Sequence, residues 1–139
     1  MIQRQQTLWL ILAVVCSFLS FQYPFYTGNR IENNSSIYAE LDAGSNFFLL
    51  ILTAISILIG AIAIFLFKDR KTQLKMAIAG IVISIVLLIL YFLQVGKFEA
   101  GGHFALTCIL TILIPLGYIM AARGIWKDEK LVKSLDKLR

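Results

Sequence analysis

Four long apolar runs, each free of Asp, Glu, Lys, Arg and His, restrict this chain more than any other feature. They cover residues 7–26, 47–67, 76–95 and 104–122. A helix crosses a bilayer core with roughly 20 such residues. A membrane barrel would instead show segments of about ten residues alternating apolar with polar, and the runs do not alternate. Charged residues make up 15% of the chain and hydrophobic ones 59%, where soluble domains carry about a quarter and a half. The expected architecture is an all-α membrane protein. One integral membrane domain spans residues 1–139 and forms a four-transmembrane-helix bundle.

Charge placement sets the expected orientation. Of the thirteen Lys and Arg, Arg30 and Lys97 fall on one side of the four runs. The other eleven fall on the opposite side: Arg4, the 68–75 connection and the tail from 123 to 139. Basic residues accumulate on the cytoplasmic side of short loops, so both termini are expected in the cytoplasm. The first run lacks a small-x-small cleavage site, and Val15 stands where a lipoprotein signal needs a small residue before Cys16. It is therefore read as a retained span and not as a signal peptide.

The first outer loop reads "TGNRIENNSSIYAELDAGSN". Its turn-forming "NNSS" between "RIE" and "IYAEL" suits a small hairpin. An irregular polar loop fits the same residues, because a lone two-stranded ribbon is marginal in water. Tyr23, Phe25 and Tyr26, with Trp9 and Trp126 at the other end, suit the aromatic belts of membrane interfaces. The connection "GKFEAGGH" at 96–103 is expected as a solvated rim loop, and its Glu99 and His103 lack the further ligands a metal or proton site needs.

Within the runs, small and hydroxyl residues repeat at helical spacing: Thr53, Ser56, Gly60 in the second, and Ala77, Gly80, Ser84 in the third. A 3-then-4 step keeps each set on one helix face. Helices in lipid associate through such close-approach surfaces, so the two stripes are expected to line tight seams. Pro115 is expected to bend the fourth span, since it lacks an N–H and crowds the preceding turn. No run carries the midplane ionisable residue that pumps and transporters use. Nucleophile–base, phosphate-loop and HExxH patterns are absent as well. The expectation is a protein that is not an enzyme, with no cofactor, no metal and no nucleic-acid partner.

The chain closes on "KDEKLVKSLDKLR". Leu131, Leu135 and Leu138 share one helical face, and Lys130, Lys133 and Lys137 form the adjacent stripe, with Trp126 above them. Such an amphipathic helix can lie in the headgroup layer, dock its leucines on a partner, or serve only as a charged anchor of topology.

The opening "MIQRQQTLWLILAVV" and this closing segment resemble the two ends of the DUF4293 family. The matching positions are Ile2, Gln3, Arg4, Gln6 and Thr7 at the start, and Asp128, Lys130, Leu131, Val132, Ser134, Asp136, Leu138 and Arg139 at the finish. Gln5 departs from the pattern, where the family implies an apolar residue. The resemblance implies a small four-span protein of the bacterial inner membrane, in Bacteroidota, and no particular activity. The expected role is a non-catalytic accessory or scaffolding subunit. It would contact a partner or lipid through Arg4, Trp126, Lys130, Leu131, Lys133, Leu135, Lys137 and Leu138. The alternative is a small channel or transporter subunit formed by homo-oligomerisation, with Ser84 and Thr111 facing the pathway.

Overall fold

The computed structural model describes residues 2–137, with side chains from Gln5 onward. Among these residues lie four helices: α1 (Ile2–Leu19), α2 (Phe47–Phe65), α3 (Arg70–Val95) and α4 (Cys108–Asp136). Three strands, β1 (Tyr26–Glu32), β2 (Ser35–Leu41) and β3 (His103–Phe104), form one antiparallel sheet in the order β2-β1-β3. Each helix packs on its neighbours in sequence, and α1 and α4 form the most extensive helix pair, closing the ring. Helices α2, α3 and α4 are long and apolar enough to cross a membrane, whereas the apolar part of α1, Gln5–Leu19, is shorter.

The first helix ends seven residues before the expected limit of 26. Two causes act together. The residue before a proline is pushed out of helical conformation, and Pro24 follows Tyr23. The backbone N–H of Phe25 is then taken by the Leu41 carbonyl at 2.6 Å, and Ala43 N–H by the Ser20 carbonyl at 3.0 Å. Between α1 and the sheet the chain makes a turn, in which the Gln22 and Tyr23 N–H groups donate to the Leu19 carbonyl at 2.9 and 3.0 Å.

The hairpin forms in the register Tyr26↔Leu41 to Glu32↔Ser35. Its two-residue turn is Asn33-Asn34, with φ of 51° and 64°. Tight hairpin turns of the primed type need φ > 0 at both central residues, which asparagine tolerates better than most residues. The 96–103 connection is largely exposed, as expected of a solvated rim, but it is tied to the hairpin. Phe98 bridges Arg30, Glu99 N–H donates to the Asn29 carbonyl at 2.8 Å, and His103–Phe104 adds the third strand. Gly28 and Gly102 permit this. A side chain on Gly28 would meet the Gly102 backbone at 2.9 Å, and one on Gly102 would enter the Tyr26 ring.

The sheet seals one end of the bundle with aromatic rings. Phe25 lies 4.7 Å from Tyr91 and 5.8 Å from both Phe92 and Phe104, and Tyr26 lies 5.0 Å from Phe104. Phe25 and Tyr26 are buried and so depart from the expected interfacial belt, while Tyr23 stays exposed. The packing of Phe25 on α3 is what removes it from the surface. Phe104, expected at the start of the fourth span, belongs to β3, and α4 starts at Cys108. Ala105 N–H donates to the Phe25 carbonyl, and the Thr107 hydroxyl to the Pro24 carbonyl at 2.5 Å, so residues 105–107 are tied to the sheet.

At the opposite end α3 begins at Arg70, six residues before the expected 76. Its first turn is polar, so hydropathy passes over it. Asp69 caps it, accepting from the Thr72 N–H and, at 2.6 Å, from the Thr72 hydroxyl. The Thr72 hydroxyl bond is the main cause that holds the Asp69 carboxyl below its ordinary value. Gln73 donates to the Ala63 carbonyl at 2.9 Å and ties this start to the end of α2.

Candidate functional site

The two small-residue stripes are buried, but they do not simply face each other. Thr53, Ser56, Gly60, Ala77, Gly80 and Ser84 are all buried, and Ser56, Gly60 and Gly80 meet one ring from α4. Tyr118 passes over Gly80, where an added Cβ would stand 2.5 Å from the ring. Its hydroxyl donates to the Ser56 carbonyl at 2.5 Å and lies 2.8 Å from where a Cβ on Gly60 would sit. Val14 of α1 closes on Gly60 from another side. One side chain therefore joins three helices, and the glycines of α2 and α3 make the space for it. Ser17 Oγ approaches Ser56 Oγ at 3.5 Å beside this point. The Ser84 hydroxyl donates to the Ile81 carbonyl at 2.8 Å and the Thr53 hydroxyl to the Leu49 carbonyl at 2.7 Å, each on its own helix. Thr111 and Pro115 are buried too, and α4 runs as one helix through Pro115.

A second seam joins α1 to α4. Gly117, Ala121 and Gly124 step along one face of α4. A Cβ on Gly117 would meet the Trp9 carbonyl and the Ala13 methyl at 3.0 Å, and one on Gly124 would meet Gln6 Cγ at 2.7 Å. This 4-then-3 spacing was a readable signal. The close approach buries Gln6 and Asp128, which are 5% and 7% exposed, and Gln6 Nε2 donates to Asp128 Oδ2. The start of α1 and the end of α4 are thereby locked together, although 122 residues separate the pair.

Beyond this lock the tail is exposed. It continues α4 through Gly124 to Asp136 as one helix. Leu131 is 52% exposed and Leu135 65%, with Val132 beside them. Lys130 Nζ stands 5.8 Å from the Trp126 ring centre, and Lys133 Nζ lies 2.8 Å from Glu129. That hydrogen bond from Lys133 is the first cause holding the Glu129 carboxyl below its ordinary value. Lys137 is exposed. The side chain of Arg4, and Leu138 as a whole, lie outside the described residues.

Between the exposed sides of α1 and α4 runs a groove of about 410 Å³ lined by Gln5, Trp9, Met120, Arg123, Trp126 and Lys127, with Gln6 and Gly124 at its floor. On the sheet side Glu99 and His103 share a hollow of about 210 Å³ with Thr27, Asn29 and Tyr38, and Glu32, Glu40 and Asp42 do not line it. Among the described residues no group of three or more His, Cys, Asp and Glu is gathered as a metal site would need.

A buried polar lock joining the chain ends, and an exposed helix beyond it, occupy the two segments whose sequence carried the resemblance. No curated protein and no solved structure matches the chain. The family described as "Domain of unknown function (DUF4293)" matches residues 2–138. The chain thus belongs to the DUF4293 family, whose function is unknown.

Proposed function

We propose that this protein is a non-catalytic accessory or scaffolding subunit of the bacterial inner membrane. It crosses the bilayer four times with both termini in the cytoplasm, and it contacts a partner or the lipid surface through that end. The observation that carries the reading is the continuation of α4 past its apolar part. The helix projects Leu131 and Leu135, more than half exposed, from a base fixed by Gln6 and Asp128. Exposed leucines at i,i+4 on a helix form the stripe by which helices dock into apolar grooves. For the first crossing, the apolar part of α1, Gln5–Leu19, rises only about 22 Å against a core of about 30 Å, and residues 20–25 supply the remaining depth in this reading.

Orientation is checked by cysteine labelling in a variant lacking Cys16 and Cys108. In intact spheroplasts Ser36→Cys is expected to react with an impermeant maleimide, and Ser134→Cys only after lysis. Equal labelling of both before lysis rules out this orientation. Contact is checked with a photo-crosslinking residue at Val132. Discrete adducts are expected, and Leu131→Ser with Leu135→Ser should lower their yield about tenfold or more, since burying one leucine is worth about 1.5–3 kcal/mol. Bundle stability should stay within about 0.5 kcal/mol, as for surface changes. Adducts that persist at full yield in the double variant would show that the leucines are not the contact.

A further inference from the structure

We infer that the cleft between α1 and α4 holds one anionic glycerophospholipid, its phosphate at Arg123 and Lys127 and an acyl chain along Leu8 and Leu12. The groove lined by Arg123, Trp126 and Lys127 shares Gln5, Trp9 and Met120 with a second trough of about 470 Å³, whose remaining lining is Leu8 and Leu12. Groove and trough thus adjoin along Gln5, Trp9 and Met120.

Polarity changes in the same direction on both walls of the cleft. Along α4 the lining residues go from Lys127 through Arg123 to Met120, at steps that keep them on one face. Along antiparallel α1 the matching sequence is Gln5, then Leu8 and Trp9, then Leu12. Cations therefore stand at the outer end, tryptophans at headgroup depth and hydrocarbon beneath, which is the order of groups in a phospholipid. The volume lies in the range of pockets that enclose small ligands.

Charge selects the headgroup. Among the described residues the ion pairs are Arg30–Glu32 and Lys133–Glu129, and neither Arg123 nor Lys127 takes part in one. The nearby carboxylate, Asp128, is buried and accepts from Gln6. Two basic side chains that can meet one phosphate, with no acid on the cleft wall, favour a lipid of net negative charge over a zwitterion.

The inference rests on the reading above only in placing this end of the bundle at a membrane surface. The test uses the full chain in nanodiscs of equal dioleoylphosphatidylglycerol and dioleoylphosphatidylcholine, with retained lipid counted by native mass spectrometry after detergent release. Phosphatidylglycerol is expected to be retained about tenfold over phosphatidylcholine, as two basic side chains at an anionic surface should achieve. Arg123→Gln with Lys127→Gln should abolish the preference. Lys68→Gln with Lys75→Gln removes the same charge outside the cleft, at two exposed side chains, and should keep it. Leu8→Trp fills the trough and should lower retention of phosphatidylglycerol without altering the basic pair.

Equal retention of the two lipids, or equal loss in the two lysine-bearing double variants, overturns the inference. Displacement of the lipid by millimolar glycerol 1-phosphate also overturns it, assigning the basic pair to a soluble phosphate ester. None of these results changes the adduct yield at Val132, so the two readings fail separately.

Discussion

Replacement of Tyr118 by alanine is expected to destabilise the bundle by about 3–5 kcal/mol, the range for removing a fully buried aromatic ring. The ring is 0% exposed and fills the space left by Gly60 and Gly80, so its loss opens a cavity shared by three helices. The hydroxyl should matter much less. Its acceptor, the Ser56 carbonyl, also takes the helical N–H of Gly60 four residues on. Hydrogen bonds between helices in membranes average about 0.6 kcal/mol, and Tyr118→Phe should cost about that much. Gly80→Ala should cost about 1–3 kcal/mol by overpacking, because its methyl would lie 2.5 Å from a ring atom. The decisive case is the double variant. With the ring gone the alanine methyl has room, so Gly80→Ala in the Tyr118→Ala background should be nearly neutral. Reversible SDS unfolding of the purified protein measures all four. Strict additivity would mean that Gly80 is not small for the sake of Tyr118.

Legibility in the sequence followed the range of the interaction that fixes each element. Helix α2 is set by a continuous apolar run with an asparagine cap, Asn46 accepting from the Phe48 N–H, and its expected start coincides with the structure. The hairpin was readable because Asn33 and Asn34 carry their own turn preference. Strand β3 was not, since two residues have no period and Phe104 is as apolar as the span it adjoins. The glycine and serine stripes announced close packing but not its occupant. An aromatic residue in mid-span reads equally well as facing lipid, and only the placement of Gly60 and Gly80 around one point selects Tyr118. The buried fate of Phe25 likewise depends on α3, which lies far along the chain.

The lock between Gln6 and Asp128 was the least legible feature and carries the second large effect. Gln6→Leu should cost at least about 1–3 kcal/mol, because it leaves a buried acceptor without its donor, and a charged acceptor costs more than a neutral one. Asp128→Leu should cost less, since an amide can turn towards water more easily than a carboxylate held between helices. Removing both partners exchanges a satisfied polar pair for an apolar contact, which can be nearly neutral. Gln6→Leu with Asp128→Leu is therefore expected to recover most of the loss of Gln6→Leu alone, a coupling of about 0.5–3 kcal/mol. SDS unfolding of the four proteins gives that coupling, and a value near zero would remove the pair as the tie between α1 and α4. A lock of this kind also has a geometric consequence. If it sets the angle at which the tail leaves the bundle, the double variant should keep its stability yet lose adducts at Val132. Full adduct yield in a stable double variant would mean that the seam of Gly117, Ala121 and Gly124 alone directs the tail.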